Sequence, residues 1–299
     1  MLNPMNTVEV EPRTELPGMR RSSLARKRAV PILHAFCVVS ALAILGGCRQ
    51  SKPEPKPTPP EDKLVVFAAA SLREAFGHES DEFKKSHPGV KVTFSFAGTQ
   101  EIRTQLEQGA PADVFASADE RHMKALRDAA KVETPTIFAQ NEPVLVVSKE
   151  KATLIHSFAE LPLAERIVVG APEVPIGKYT EQILEKASRS LGADFRTRVE
   201  AKIVSRELNV RQVLAKVTLG EADAGIVYRT DIGTSRDKVS VVTIPSELNI
   251  IARYPIAVVK GAPHPVLGQQ WVSLILSERG QTVLQDSGFI VAPASKAAH

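Results

Sequence analysis

Val65-Val66-Phe67-Ala68-Ala69-Ala70-Ser71-Leu72 reads as a buried β-strand running straight into a helix. Ser71 falls at the junction, where a helix offers free backbone N–H groups and the positive end of its dipole. Such a junction is a ready anion site. The three alanines before the serine leave room for a ligand to approach the backbone. A second reading stands beside this one. Ser71-Leu72-Arg73-Glu74 spells a capping box, in which the serine serves only its own helix and Glu74 points back at the Ser71 backbone.

Outward from that stretch the chain alternates strand and helix. Leu72, Ala75, Phe76, Glu79 and Phe83 recur at helical spacing, and His87-Pro88-Gly89 stops the helix. Val90, Val92, Phe94 and Phe96 alternate as a second strand, and Ala97-Gly98-Thr99 turns into a second helix. Asp113–Ala116 is a third strand, and Asp119 caps the helix after it. A βαβαβα run predicts a parallel sheet with right-handed crossovers, and ligands of such sheets sit beyond the carboxyl ends of the strands. Ser71 and Thr99 both fall there, each at a helix start.

Thr136–Ala139 and Val144–Val147 are further strands, and a first crossing between lobes is placed at Asn141-Glu142-Pro143. A second α/β unit follows. Ile167–Gly170 is a strand, Lys178–Leu191 a helix, Ala201–Val204 a strand, and Asn209 caps the next helix. Ala224–Tyr228 delivers Tyr228 at a strand's carboxyl end, and Val239–Ile244 follows. Pro255 interrupts the strand Ile251–Val259, which suggests an edge or a crossing. Two last helices, His264–Leu276 and Glu278–Asp286, are expected to return to the first lobe. The expected bounds are 63–142 for lobe 1, 143–247 for lobe 2, and 248–299 for the return.

The N-terminus reads as an address. Arg20, Arg21, Arg26, Lys27 and Arg28 precede an apolar run, Ala29–Leu45, broken only by His34 and Ser40. That is the layout of an export signal, and Met19 is an alternative start to Met1. Leu45-Gly46-Gly47-Cys48 resembles the lipobox of bacterial lipoproteins, which implies cleavage after residue 47 and lipidation of Cys48. The alternative is a plain signal or an uncleaved anchor. Residues 48–62 hold five prolines among charges and read as an extended tether.

Composition narrows the function. The chain of 299 residues is 43% hydrophobic and carries a formal charge of +4. Residues 1–47 hold six Lys/Arg against three Asp/Glu, so the rest is nearly balanced at 32 against 31. A balanced body with 5% aromatics lacks the basic stripe and stacking platforms of a nucleic-acid binder. Both cysteines, Cys37 and Cys48, precede the body, which therefore has neither disulfide nor thiol chemistry. Catalysis finds no support. Ser71 lacks a G-x-S-x-G setting, and the seven scattered histidines, most of them read as solvent-facing, show no metal-ligand spacing. Gly170 to Gly177-Lys178-Tyr179 is too long for a P-loop and has tyrosine where magnesium needs Ser or Thr.

Phe67–Leu72, Ser95–Thr99, Gln108–Asp119, Asn209–Arg211, Gly225–Tyr228 and Tyr254–Val258, in that order, resemble the periplasmic molybdate-binding proteins of bacterial molybdate ABC transporters. The run Gly109–Asp119 is the most specific piece, and the likeness spans Lys63–Ile290. It implies a type II periplasmic-binding-protein fold: two lobes, each a mostly parallel sheet flanked by helices, with a ligand cleft between them. It implies that hydroxyls of Ser71, Thr99 and Tyr228 and backbone amides of Ile176 and Val210 hold the oxyanion. Two departures stand out. Thr99 falls where the family often has serine. Ile176 falls where alanine is common, in a longer segment before Val210.

Those residue types suit the task. A fully deprotonated tetrahedral oxyanion has only acceptors, so its site should offer donors and needs no cation. A site without a carboxylate leans away from phosphate, whose proton needs an acceptor. The expected protein is a monomer with no cofactor. It captures molybdate, and tungstate as well, and its lobes close by hinge motion before it docks on membrane permease subunits. Binding of another oxyanion such as sulfate, thiosulfate or phosphate on the same fold stays open, and so does a lipid-anchored interaction module with no small ligand.

Overall fold

A computed structural model describes residues 62–291 of the chain. The export signal, Cys48 and nearly all of the tether lie outside those residues.

Strand β1 (Lys63–Ala69) alternates buried and half-buried positions and then buries its last four residues, as the apolar run requires. A 3-10 turn, Ala70–Leu72, leads directly into α1 (Arg73–Ser86). β2 (Lys91–Ala97), α2 (Thr99–Glu107), β3 (Val114–Ala116) and α3 (Glu120–Asp128) complete the first run. β1 is parallel to both β2 and β3, with Val66 level with Phe94 and Val114. β4 (Thr136–Asn141) ends this half, and only Glu142 separates it from β5 (Pro143–Ser148).

The second half contains β6 (Ile167–Gly170), α4 (Pro175–Ser190), α5 (Phe195–Glu200), β7 (Ile203–Glu207), α6 (Val210–Thr218), β8 (Ala224–Tyr228) and β9 (Val239–Thr243). The chain then returns through β10 (Ala252–Val258), α7 (Pro265–Leu276), α8 (Glu278–Asp286) and β11 (Ile290–Val291). One sheet has the order β11-β4-β10-β3-β1-β2, and the other β7-β6-β8-β5-β9. The chain thus builds two α/β lobes. Each sheet is mixed: β2-β1-β3 and β7-β6-β8 are parallel, while β4, β5, β9, β10 and β11 run antiparallel to their neighbours. β5 and β10, each the first strand after the chain passes from one lobe to the other, therefore run opposite to the parallel strands beside them.

Three local readings change. Of the two readings of Pro255, the crossing fits and the edge does not: β10 is the strand that returns to the first sheet, it is interior there, and Pro255 is tolerated because the register slips between Tyr254 and Pro255 in a bulge. α5 was not foreseen. It buries Phe195 and Val199 on one side, ends at Ala201, and pushes β7 two residues downstream of the expected start. The Ser71 capping box is absent, because Ala69 and Leu72, not Ser71, flank the two helical starts, and neither cap makes a side-chain bond.

The return segment belongs to the first lobe's core. Trp271 of α7 is fully buried and packs edge-on against Phe76, Phe83 and Phe94, with ring centroids 5.5, 5.5 and 5.7 Å away. Aromatics of this size bury about 150–250 Å² each, so this cluster fastens the C-terminal helices to α1 and β2.

Candidate functional site

Four helix starts face one cavity. The end of β1 contributes Ala69, Ala70 and Ser71, and the entry to α2 contributes Gly98 and Thr99. The second lobe adds Val174 and Ile176 at the start of α4, Asn209 and Val210 at the start of α6, and Tyr228 at the end of β8. The cavity is small, about 20 Å³. All five residues expected from sequence, Ser71, Thr99, Ile176, Val210 and Tyr228, line it. The first N–H groups of a helix have no partner within the helix, so the converging ends present donors and positive dipole ends to one point.

Each side chain is held in place. The Thr99 Oγ1 accepts from the Ala118 amide at 3.3 Å, which leaves its own hydrogen to donate. Ser71 Oγ lies 3.0 Å from the Tyr254 hydroxyl. The Asn209 side chain accepts from the Gln212 amide at 3.2 Å and caps α6, so the exposed donors of that turn include the Val210 and Arg211 amides. Tyr228 is 1% exposed, and its hydroxyl has no hydrogen-bond partner among the described residues. A buried hydroxyl without a partner costs free energy, so one aimed at a cavity points to a ligand.

Among the described residues, no Asp, Glu, Lys or Arg lines the cavity. Two carboxylates act on Tyr228 from outside the lining: Asp119, and Asp231, whose Oδ2 accepts the Tyr228 amide at 3.0 Å. Burial raises Asp231 to about 7, opposed by Arg211 3.8 Å away. Burial also lifts Tyr228 and Tyr254 well above the usual phenol range, so both remain protonated donors.

The rim is closed by contacts between the lobes. Glu74 of α1 pairs with Arg211 of α6 at 2.5 Å instead of returning to Ser71. Gln100 donates to the Leu208 carbonyl at 2.7 Å, and Arg121 to the Glu173 carbonyl at 2.7 Å. His122 is buried rather than solvent-facing, with its Nε2 2.9 Å from the same carbonyl. Burial holds its pKa below the ordinary value, against the pull of Asp119. Gly98 is needed at this closure, since a Cβ there would lie 2.3 Å from the Leu208 carbonyl. Sequence reasoning assigned no role to Tyr254, Asn141 or the Glu74–Arg211 pair. Tyr254 stood in a quoted motif, but only the fold brings it to Ser71, 183 residues away.

Two α/β lobes joined by crossing strands, with donors from both lobes around one cleft, define a solute-binding protein of the type II periplasmic kind. The chain belongs to the bacterial extracellular solute-binding protein family, whose model matches residues 64–290. The molybdate-binding protein ModA of Mycobacterium tuberculosis strain H37Rv is 39% identical over 259 residues, which are 84% of this chain and 95% of that one. The periplasmic molybdate-binding protein of Azotobacter vinelandii has the same fold, with a TM-score of 0.67 at 20% identity over 77% of this chain and all of that one. The sulfate-binding protein SubI of M. tuberculosis H37Rv superposes with a TM-score of 0.70 at 19% identity, over 78% of this chain and 88% of that one. At such identities the two structures speak for the fold alone. Among the described residues, no helix is long and apolar enough to cross a membrane.

Proposed function

We propose that this protein captures molybdate outside the cytoplasm and delivers it to an ABC importer, with tungstate as a second ligand. The observation that carries the reading is the cavity itself, in which neutral donors from both lobes converge and, among the described residues, a buried Tyr228 hydroxyl lacks a partner and no lining side chain is charged. In this reading Ser71, Thr99 and Tyr228 donate through hydroxyls, and Ile176 and Val210 through backbone amides. Only acceptors fit such a set, which favours a fully deprotonated dianion over hydrogen phosphate. The choice of molybdate over sulfate leans on the 39% identity to a molybdate-binding relative, since charge and shape are alike.

The protein acts without catalysis or cofactor, as a monomer. Residues 1–47 direct export, Cys48 carries the lipid, and residues 48–62 hold the binding body off the membrane, within reach of the permease subunits. Residues 63–142 and 248–299 form one lobe and 143–247 the other.

The test is a thermal-melt series on residues 49–299 with molybdate, tungstate, sulfate and phosphate. A ligand at about a thousandfold excess over its Kd adds about 4 kcal/mol. For a domain of this size that raises Tm by roughly 8–16 °C. The expected result is a large rise with molybdate and tungstate alone. A rise with sulfate or phosphate alone overturns the substrate, and no rise with any of them overturns the anion site.

A further inference from the structure

We propose that Tyr254 and Asn141 are positioning residues, forming a one-way chain of hydrogen-bond donors that turns the Ser71 hydroxyl hydrogen into the cleft. The inference rests on the reading of that cleft as an anion site.

The direction of the chain follows from donor and acceptor counting. Ser71, Asn141 and Tyr254 are all buried. The Asn141 amide has one orientation, because its Oδ1 accepts the Glu142 amide at 2.9 Å and a swapped amide would set two donors against each other. Its Nδ2 hydrogens then go to Thr230 Oγ1 at 2.7 Å and to the Tyr254 hydroxyl oxygen at 3.4 Å. Tyr254 is thus an acceptor from Asn141, and among its described partners Ser71 Oγ, at 3.0 Å, is the one that can take its single hydrogen, which would otherwise be buried unpaired. Ser71 accepts that bond and keeps its own hydrogen for the cavity it lines. Without this polarity the serine could satisfy itself by donating to Tyr254, presenting a lone pair to an anion.

The placement of the chain adds a second point. Asn141 ends β4 at the crossing between lobes, Tyr254 sits beside the β10 bulge, and Thr230 follows β8 in the second lobe. The Tyr254 ring also meets the Tyr228 ring edge-on, with centroids 5.8 Å apart at 71°. One residue therefore orients a hydroxyl donor of the first lobe and braces one of the second.

The experiment is a double-mutant cycle in the full chain, with molybdate affinity read by calorimetry and folding by ligand-free melting. Tyr254→Phe keeps the ring and removes the hydroxyl. It is expected to weaken binding about three- to tenfold, the size of one neutral hydrogen bond, and to have no further effect once Ser71→Ala is in place. Asn141→Asp supplies a sign test. A carboxylate only accepts, so Tyr254 turns its hydrogen to residue 141 and Ser71 is spent on Tyr254. Adding Tyr254→Phe to Asn141→Asp is then expected to recover affinity, the reverse of its effect alone.

Parent-like binding by Tyr254→Phe, an equal loss in both Ser71 backgrounds, or no recovery on Asn141→Asp each overturns the relay while leaving the anion site in place. Failure of the parent chain to bind molybdate overturns the functional reading, and the relay falls with it. Should Tyr254→Phe not fold, the cycle of Asn141→Ala with Ser71→Ala carries the same test. A loss confined to the Ser71 background supports the relay, and a loss independent of that background overturns it.

Discussion

Removing one oxygen atom tests the cleft most directly. Tyr228→Phe deletes a hydroxyl that is buried, protonated and without a partner among the described residues, and it keeps a ring packed between Tyr179 and Tyr254 at 6.4 and 5.8 Å. A hydrogen bond to a charged group contributes about 1.5–3 kcal/mol. A Kd rise of roughly 10- to 150-fold for molybdate is therefore expected. The ligand-free protein should scarcely notice, because the hydroxyl bonds no other described residue. A stability change under about 1 kcal/mol moves Tm by less than about 4 °C in a domain of this size. Calorimetric titration and melting of the same two preparations measure both quantities. A Kd within twofold of the parent's, beside an unchanged ligand-free Tm, would refute the argument that this hydroxyl waits for an anion.

Three other outcomes are expected. Gly98→Ala should leave the ligand-free fold intact and weaken molybdate binding more than about tenfold, because its Cβ would displace the flexible Gln100 side chain in its own lobe but would meet the unyielding Leu208 carbonyl of the other; titration and melting check both. Glu79 is fully buried without a hydrogen-bond partner among the described residues, and burial, then Glu82, raises it from 4.5 to about 8. Its folded pKa lies above its unfolded one, so its stabilisation is complete below pH 4.5 and is lost as pH rises through about 8. At 1.36 kcal/mol per pH unit, Glu79→Met should gain about 3 kcal/mol on the parent between pH 4.5 and 7, and a pH-independent difference in urea melts would count against it. Arg211→Met removes the half-exposed pair with Glu74 and the cation that holds Asp231 down. It should weaken ligand binding about two- to fivefold. It should also steepen the loss of stability above neutral pH, because Asp231, already raised to about 7, would rise further.

What could be read from the sequence follows the range of the forces involved. The apolar run Val65–Ala69 and the helical spacing of Phe76, Glu79 and Phe83 are local signals, and they placed β1 and α1 within a few residues. Asp119 and Asn209 cap α3 and α6 as read, because a cap is settled by the first turn of its own helix. Ser71 is different. Its local signature is a capping box, yet an inserted 3-10 turn shifts the helix start, and Glu74 finds Arg211 137 residues away. The antiparallel strands at the crossing, the bulge that admits Pro255 and the burial of His122 likewise depend on partners far along the chain. The cavity residues were found through a motif likeness, while the groups that orient them were not, because Tyr254 and Asn141 carry no local pattern that says which atom they face.

The arrangement also explains why closing should depend on the ligand. Ser71 and Thr99 come from one lobe, and Ile176, Val210 and Tyr228 from the other, so neither lobe alone completes a donor set. The rim contacts are too weak to hold the lobes by themselves. The Glu74–Arg211 pair is 50% and 32% exposed, and such pairs contribute about 0–1 kcal/mol. Each neutral bond such as Gln100 to Leu208 adds about as much again, set against the lost freedom of two lobes. A dianion placed among uncharged donors changes that balance, because hydrogen bonds to a charged acceptor are roughly twice as strong as neutral ones. It also does so without a buried lysine or arginine, whose charge would face the same desolvation when the cleft is empty and closed. Under the proposed function, neutral donors leave the empty closed cleft merely unsatisfied, at Tyr228 above all, and the anion is expected to be the group that draws both lobes together.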